Sequence, residues 1–318
     1  MAALSEKVWR DLGGGSEVVA KSEAIMGSAS APRGLATAAA AASLSLMVTG
    51  CSSMTPMPRG QRGVSAASDR PTSGDSVSGV PLERWNTERC RDSYFEDLDT
   101  ATSMMTAFAG FMTHMDLFDA AMFGLSRAET TVMDPQHRSL LEGMLHARAS
   151  TSLAARGADP LDAPGCGVYV GISSTDYMDD HIRPVATELN PFIMPGNVLS
   201  VAAGRMSFVF GLKGPSLAVD TACSSSIVGA HMGYTAIVNG AIEAAAACGV
   251  QFTAGVHASG LFNSAGMLAP DGRCKTLDAA ANGYVRGEAR GVLVLEGVGP
   301  GGPGGGGGPG VAVIGEAV

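Results

Sequence analysis

Four short runs in this chain are apolar at nearly every position rather than at alternate ones. They are Gly167-Val168-Tyr169-Val170-Gly171-Ile172, Leu217-Ala218-Val219, Cys248-Gly249-Val250 and Gly291-Val292-Leu293-Val294-Leu295. A strand with one face in water alternates apolar and polar residues, whereas a strand apolar throughout needs cover on both faces. Between the runs lie stretches with helical apolar spacing, at 197–210 and 227–247. Strands alternating with helices predict an α/β architecture in which helices cover a sheet on both sides.

The run 216–219 reads as a buried strand, and it leads through Asp220-Thr221-Ala222-Cys223-Ser224 into a helical stretch beginning near Ile227. Cys223 therefore sits where a strand ends and a helix begins. The first turn of a helix carries unpaired N–H groups and the positive end of the helix dipole, which favour a thiolate. Two readings stand at this point: an activated nucleophile, or a buried inert thiol.

Other boundaries are marked by caps. Ser126 and Glu129 have capping-box spacing, and Asp134 before Pro135 suits an N-cap for a helix running to about Ala149. Residues 116–123 suggest a short helix or turn, and 264–274 are turn-rich. Residues 25–79 are rich in Ala, Ser, Gly, Pro and Met without sustained periodicity, so they predict a low-complexity, disordered insertion. Residues 297–310 read as a glycine linker and 311–314 as a last strand.

Composition excludes several classes. The net charge of -9, with no basic stripe, argues against nucleic-acid binding. Six cysteines (51, 90, 166, 223, 248 and 274) include no CxxC pair, so neither a disulfide framework nor a structural zinc site is expected. Reduced thiols suit the cytoplasm. The alanine-rich run at 34–53, with Val48-Thr49-Gly50-Cys51 near its end, imitates a lipoprotein signal. It starts more than thirty residues in, after charged sequence, and is short for a spanning helix, so no membrane attachment is predicted.

Val219-Asp220-Thr221-Ala222-Cys223-Ser224-Ser225-Ser226 resembles the active-site signature of β-ketoacyl synthases, in particular the ketosynthase domains of type I polyketide synthases. Further blocks resemble the family in the right order: Val80-Pro81 with Arg84-Trp85-Asn86, Met133-Asp134-Pro135-Gln136-His137-Arg138, Gly171-Ile172-Ser173-Ser174-Thr175-Asp176-Tyr177, and 196–205. So do Pro270-Asp271-Gly272-Arg273-Cys274-Lys275-Thr276 and Gly283-Tyr284-Val285-Arg286-Gly287-Glu288. The likeness covers most of 80–296, with scraps at 8–19 and 311–318. It divides the chain into a clipped ketosynthase start (1–24), the insertion (25–79), the ketosynthase N-terminal core (80–296), the linker (297–310) and a terminal strand (311–318).

The resemblance implies a thiolase-like layered fold, helices covering a mixed sheet, here incomplete. It implies a homodimer of polyketide or fatty-acid biosynthesis that performs decarboxylating Claisen condensation. Cys223 would take an acyl group from the phosphopantetheine arm of an acyl carrier protein, and its backbone N–H would be one oxyanion donor. A malonyl-type extender on the carrier would then supply the attacking carbanion. Phosphopantetheine enters as the substrate's arm, and no cofactor is bound by the chain itself. The family also uses two histidines in His-Gly-Thr-Gly-Thr and Asn-x-Gly-His blocks, which these 318 residues do not contain. The family's first strand is not found before Trp9. The chain is thus expected to match the N-terminal half, truncated at both ends. The alternative is a non-catalytic dimerisation or scaffold piece. His231 is expected to pack, His257 to have no catalytic part, and Asp220 and Thr221 to shape the turn. Arg138, Arg205 and Arg286 are expected in structural pairings, and Glu288 in a buried network or ion pair.

Overall fold

A computed structural model describes residues 45–54, 75–87, 107–149, 165–185 and 190–298. All of them belong to the compact unit Leu44–Val318; a second unit, Met1–Ser43, lies outside the described residues.

Strand β4 (Gly167–Gly171) is buried at every position, as its unbroken apolar run requires. It pairs in parallel with β5 (Ser216–Val219) on one side and β6 (Ala244–Gln251) on the other. Strand β8 (Ala289–Val298) runs antiparallel to β6, and β1 (Ser45–Met54) antiparallel to β8. The sheet order is β1-β8-β6-β4-β5, a mixed sheet as expected. A smaller sheet joins β2 (Val77–Gly79), β3 (Phe108–Gly110) and β7 (Arg286–Gly287).

Helices cover both faces. Helix α1 is Arg127–Val132, α2 Pro135–Ala149, α3 Ile193–Asn197, α4 Leu199–Phe210, α5 Ser225–Val238 and α6 Val256–Ser264. Val168, Val170, Ala246, Cys248, Val292 and Val294 point to one face, where Leu140, Leu141 and Met144 of α2 and Met206 of α4 meet them. Tyr169, Ala245, Ala247 and Leu295 point to the other, against Ile237 of α5. Each central strand alternates with period two, and both sets of side chains are dry. That is why these runs are apolar throughout.

The predicted caps form. The Ser126 hydroxyl accepts from the Glu129 amide at 3.2 Å, and Asp134 Oδ1 accepts from the Gln136 amide at 2.7 Å. Several expectations are corrected. Strand β5 is at the sheet edge rather than buried, and Leu217 is 39% exposed. An apolar run does not distinguish a central strand from an edge strand whose far side has no partner among the described residues. The helix expected over 227–247 ends at Val238 instead. Gly240 takes φ 70°, and the alanines from Ala244 on become the middle of β6. Small side chains are required there, because α5 lies close: a Cβ on Gly233 would stand 3.0 Å from that of Ala245.

Residues 25–79 are not wholly without order either. Ser45–Met54, including Cys51, is strand β1, and Val77–Gly79 is strand β2. Local composition hid β1, whose partner β8 lies more than two hundred residues away. Strand β8 also runs two residues into the predicted linker. The rest of that linker, residues 311–318 and residues 1–24 lie outside the described residues. Helix α6 was not anticipated. No helix among the described residues is long and apolar enough to cross a membrane, and no cluster there could hold a metal ion.

Candidate active site

The parallel strands β4, β5 and β6 end on the same side of the sheet. The chain leaves β4 through α3 and α4 to reach β5 on one side of it, then through α5 to reach β6 on the other. Such a reversal of strand order is where open α/β sheets bind ligands. Cys223 stands there, between the end of β5 and the start of α5.

The turn is a tight elbow. Ala222 takes φ 57°, the left-handed region that L-residues rarely adopt. The Ala222 amide donates to Asp220 Oδ1 at 3.0 Å, and the Thr221 amide to Ser225 Oγ at 2.9 Å. The Ser225 hydroxyl donates to the Ala222 carbonyl at 2.6 Å, and that of Ser224 to the Thr221 carbonyl at 2.9 Å. Asp220 and Thr221 shape the turn by local bonds, as expected. Cys223 is exposed at its tip and Ser224 is the N-cap of the 14-residue α5. The inert buried thiols are elsewhere: burial pushes Cys166 and Cys248 up to about 12.

Glycines set how closely α5 approaches. Gly171 and Gly249 are paired neighbours near the ends of β4 and β6. A Cβ on Gly171 would stand 2.5 Å from the Ser226 nitrogen, and one on Gly249 2.6 Å from the Ser226 Cβ. The helix then lies on the sheet along Ser225, Gly229, Gly233 and Ile237, with Tyr169 beneath the two glycines. Sequence reasoning missed Gly171, Gly249 and Ser225 as site-building residues. The available signal was the four-residue spacing of Gly229 and Gly233, and the glycines within two apolar strand runs.

Beside the elbow, the loop after β4 is tied to the head of α2. Asp134 Oδ1 accepts from the Gln136 amide at 2.7 Å, and the Gln136 side chain donates to the Ser174 carbonyl at 3.0 Å. The Ser174 hydroxyl donates to Asp176 at 2.7 Å. Burial pushes the Asp134 carboxyl up to about 6 and raises that of Asp176. His137 is fully enclosed, with no partner for either ring nitrogen among the described residues. Burial, helped by the nearby Arg205 charge, holds it down to about 3, so it is neutral.

Of the three arginines expected in structural pairings, Arg205 and Arg286 have charged partners. Arg205 pairs with Glu129 and donates to the Pro195 carbonyl at 2.9 Å. Arg286 stands 4.0 Å from Asp176 and 4.7 Å over the Phe262 ring. Arg138 shows no such pairing among the described residues: burial works against its charge, offset in part by the fields of Tyr177, Asp134, Glu142 and Asp116. Glu288 forms a buried ion pair with Arg84 at 2.9 Å and accepts the amides of Met112 and Thr253 at 2.7 and 2.9 Å. His231 is exposed on the outer face of α5 rather than packed, because the buried stripe passes through Gly229 and Gly233. His257 is exposed near the start of α6, where its amide donates to Asp180 at 3.0 Å.

Comparison with known proteins gives this geometry a lineage. Residues 45–298 match the family model described as beta-ketoacyl synthase, N-terminal domain. The match begins at β1, so the opening strand lies inside the segment assigned to an insertion. The chain is 36% identical over 223 residues to one polypeptide of the phenolphthiocerol/phthiocerol polyketide synthase of Mycobacterium tuberculosis, covering 70% of this chain and 12% of that protein. It is 34% identical over 225 residues to polyketide synthase PksL of Bacillus subtilis, covering 70% of this chain and 5% of that one. Among solved structures, the ketosynthase from module 6 of the bacillaene synthase of Bacillus subtilis superposes with a TM-score of 0.62 at 30% identity, over 79% of this chain and 40% of that chain. The oxazolomycin ketosynthase domain OzmH KS7 of Streptomyces albus superposes with a TM-score of 0.64 at 25% identity, over 80% and 42%. The chain thus spans under half of these solved ketosynthases and a small part of the curated synthases, and it belongs to the beta-ketoacyl synthase family as the N-terminal region of a type I polyketide synthase ketosynthase.

Proposed function

We propose that Cys223 is the acyl-accepting nucleophile of a polyketide-synthase condensing enzyme. Its thiolate attacks the thioester carbonyl of an acyl group held on the phosphopantetheine arm of an acyl carrier protein. A tetrahedral oxyanion forms, with the Cys223 amide as one donor. The carbon–sulfur bond to the carrier breaks, the carrier thiolate leaves and takes up a proton, and the acyl group stays on Cys223 as a thioester. Condensation follows when a malonyl-type extender on the carrier loses carbon dioxide and its carbanion attacks that thioester; the bond from the acyl carbon to Cys223 Sγ breaks, Cys223 leaves as the thiolate, and the β-ketoacyl group stays on the carrier. Such substrates place the reaction in the cytoplasm.

The observation that carries this reading is the exposed thiol on a left-handed elbow at the head of a long helix. A thiol there stands clear of the sheet and is reachable by a long flexible arm. A homodimer is supported by the outer edge of β5, which pairs with no other strand among the described residues. Leu217 is part-exposed there, with Phe208 on α4 85% and Ile227 on α5 74% exposed. A second copy pairing along β5 would cover such a surface.

The test is acylation by an acyl-N-acetylcysteamine thioester, read by intact mass and peptide mapping. One acyl adduct on Cys223, lost in Cys223→Ala, is expected. Acylation at the exposed Cys274 instead, or none, would overturn the reading. A chain of these 318 residues, containing neither histidine block, is expected to form the adduct and release no β-keto product from malonyl-carrier.

A further inference from the structure

We infer, on the footing that Cys223 is the reacting thiol proposed above, that Ser225 is a positioning residue: its hydroxyl holds the left-handed elbow at Ala222 and so keeps the thiol at the head of α5. Ala222 has no glycine's freedom, and its φ of 57° persists only where the surroundings over-determine it. Side-chain bonds surround it. Those from Asp220, Thr221 and Ser224 are made by exposed residues, where water competes.

Ser225 differs. It is 5% exposed, and its hydroxyl makes two bonds that straddle the elbow. It accepts from the Thr221 amide before the bend and donates to the Ala222 carbonyl at it. The residue carrying that hydroxyl lies close against the sheet, at a spacing only glycine permits: a Cβ on Gly171 would lie 2.7 Å from the Ser225 carbonyl carbon. The hydroxyl is therefore a fixed point on the packed helix end that dictates the conformation of an exposed turn. Without it, Ala222 is free to leave the left-handed region. Cys223, one residue on, is then carried away from its fixed, exposed place at the head of α5.

The test is a mutant cycle on the full chain, read by iodoacetamide alkylation of the Cys223 peptide relative to the exposed Cys274 peptide. Alkylation needs no acyl donor, so failure of the acyl-transfer reading and failure of this inference are separable. Ser225→Ala is expected to lower the Cys223-to-Cys274 rate ratio about fivefold, the effect of roughly one hydrogen bond. Ala222→Gly, at an exposed site where glycine takes a positive φ without strain, is expected to leave the ratio unchanged. The double variant is expected to recover most of the loss, and Ser225→Thr, which keeps the hydroxyl, to behave as the wild type. A purely structural hydroxyl would lower the melting temperature and leave the ratio alone. An unchanged ratio in Ser225→Ala overturns the inference. So does a loss of rate or folding that Ala222→Gly does not restore.

Discussion

Replacing Gly171 with alanine puts a methyl group where the backbone of another element already stands. Its Cβ would lie 2.5 Å from the Ser226 nitrogen and 2.7 Å from the Ser225 carbonyl carbon and the Ser226 Cα. Ordinary contact begins at 3.4 Å, so some 0.9 Å must be found. The obstacles are main-chain atoms, and no rotamer relieves them. Strand β4 is paired on both sides, so the first turn of α5 is the part that yields. Overpacking of this kind costs about 1–3 kcal/mol. That corresponds to a fall of roughly 2–10 °C in melting temperature for a chain this size. A displacement near 1 Å at a reacting group costs about 100-fold in rate. The assay is the initial rate of acyl adduct formation on Cys223, beside a thermal melt. Gly229→Ala is the matched control on the same helix–sheet interface. Its Cβ would meet Tyr169 at 3.6 Å, an ordinary distance, and alanine is the better helix former by up to about 1 kcal/mol. That variant should acylate normally and melt no lower. A Gly171→Ala chain with wild-type rate and melting temperature would refute the idea that close approach of β4 positions the thiol. Equal damage from both alanines would refute it too.

Three further outcomes are expected. Glu288→Ala strips one buried acceptor from the Arg84 side chain and the Met112 and Thr253 amides at once, and should cost about 3–5 kcal/mol in a urea melt; a loss under about 1 kcal/mol would count against the buried-pair account. His137 is neutral in the fold down to about 3, whereas the unfolded chain binds its proton below about 6.5. Stability from this group therefore falls as pH drops through that window, by up to roughly 5 kcal/mol, and His137→Leu should flatten the acid limb of a pH–stability curve. Asp134 acts with the opposite sign. Burial lifts its carboxyl from 3.8 to about 6, so stability from this group rises as pH falls through that interval, by up to roughly 3 kcal/mol. Asp134→Asn keeps an acceptor for the Gln136 amide without the charge, and should be at least as stable as the wild type at pH 7 in a denaturant melt.

Features written in local chemistry were legible before the fold was known. The wholly apolar runs at β4 and β8 announced strands covered on both faces. The caps at Ser126 and Asp134 placed the starts of α1 and α2. Cys223 could be assigned to a strand–helix junction because strand and helix periodicities meet within a few residues. By contrast, the local sequence of β1 is of low complexity, and that of Ala244–Ala247 favours helix. Both segments owe their conformation to partners distant in sequence: β8 for the first, and β4 with β8 for the second. Propensity carries no information about those partners.

The sequence by itself therefore determined the α/β class, the family and which cysteine stands at the strand–helix junction, because each is encoded in contiguous residues. Tertiary structure alone decided what holds that cysteine. It showed β5 to be an edge strand, brought Gly171 and Gly249 under Ser226, and turned Ser225 inward to staple Ala222. It also gathered Arg84, Met112 and Thr253 onto Glu288. Close approach and hydrogen bonding between distant segments exist only once the sheet order is set. A glycine or a serine in the sequence says that a contact is possible there, and the packed sheet and helix say which contact it is.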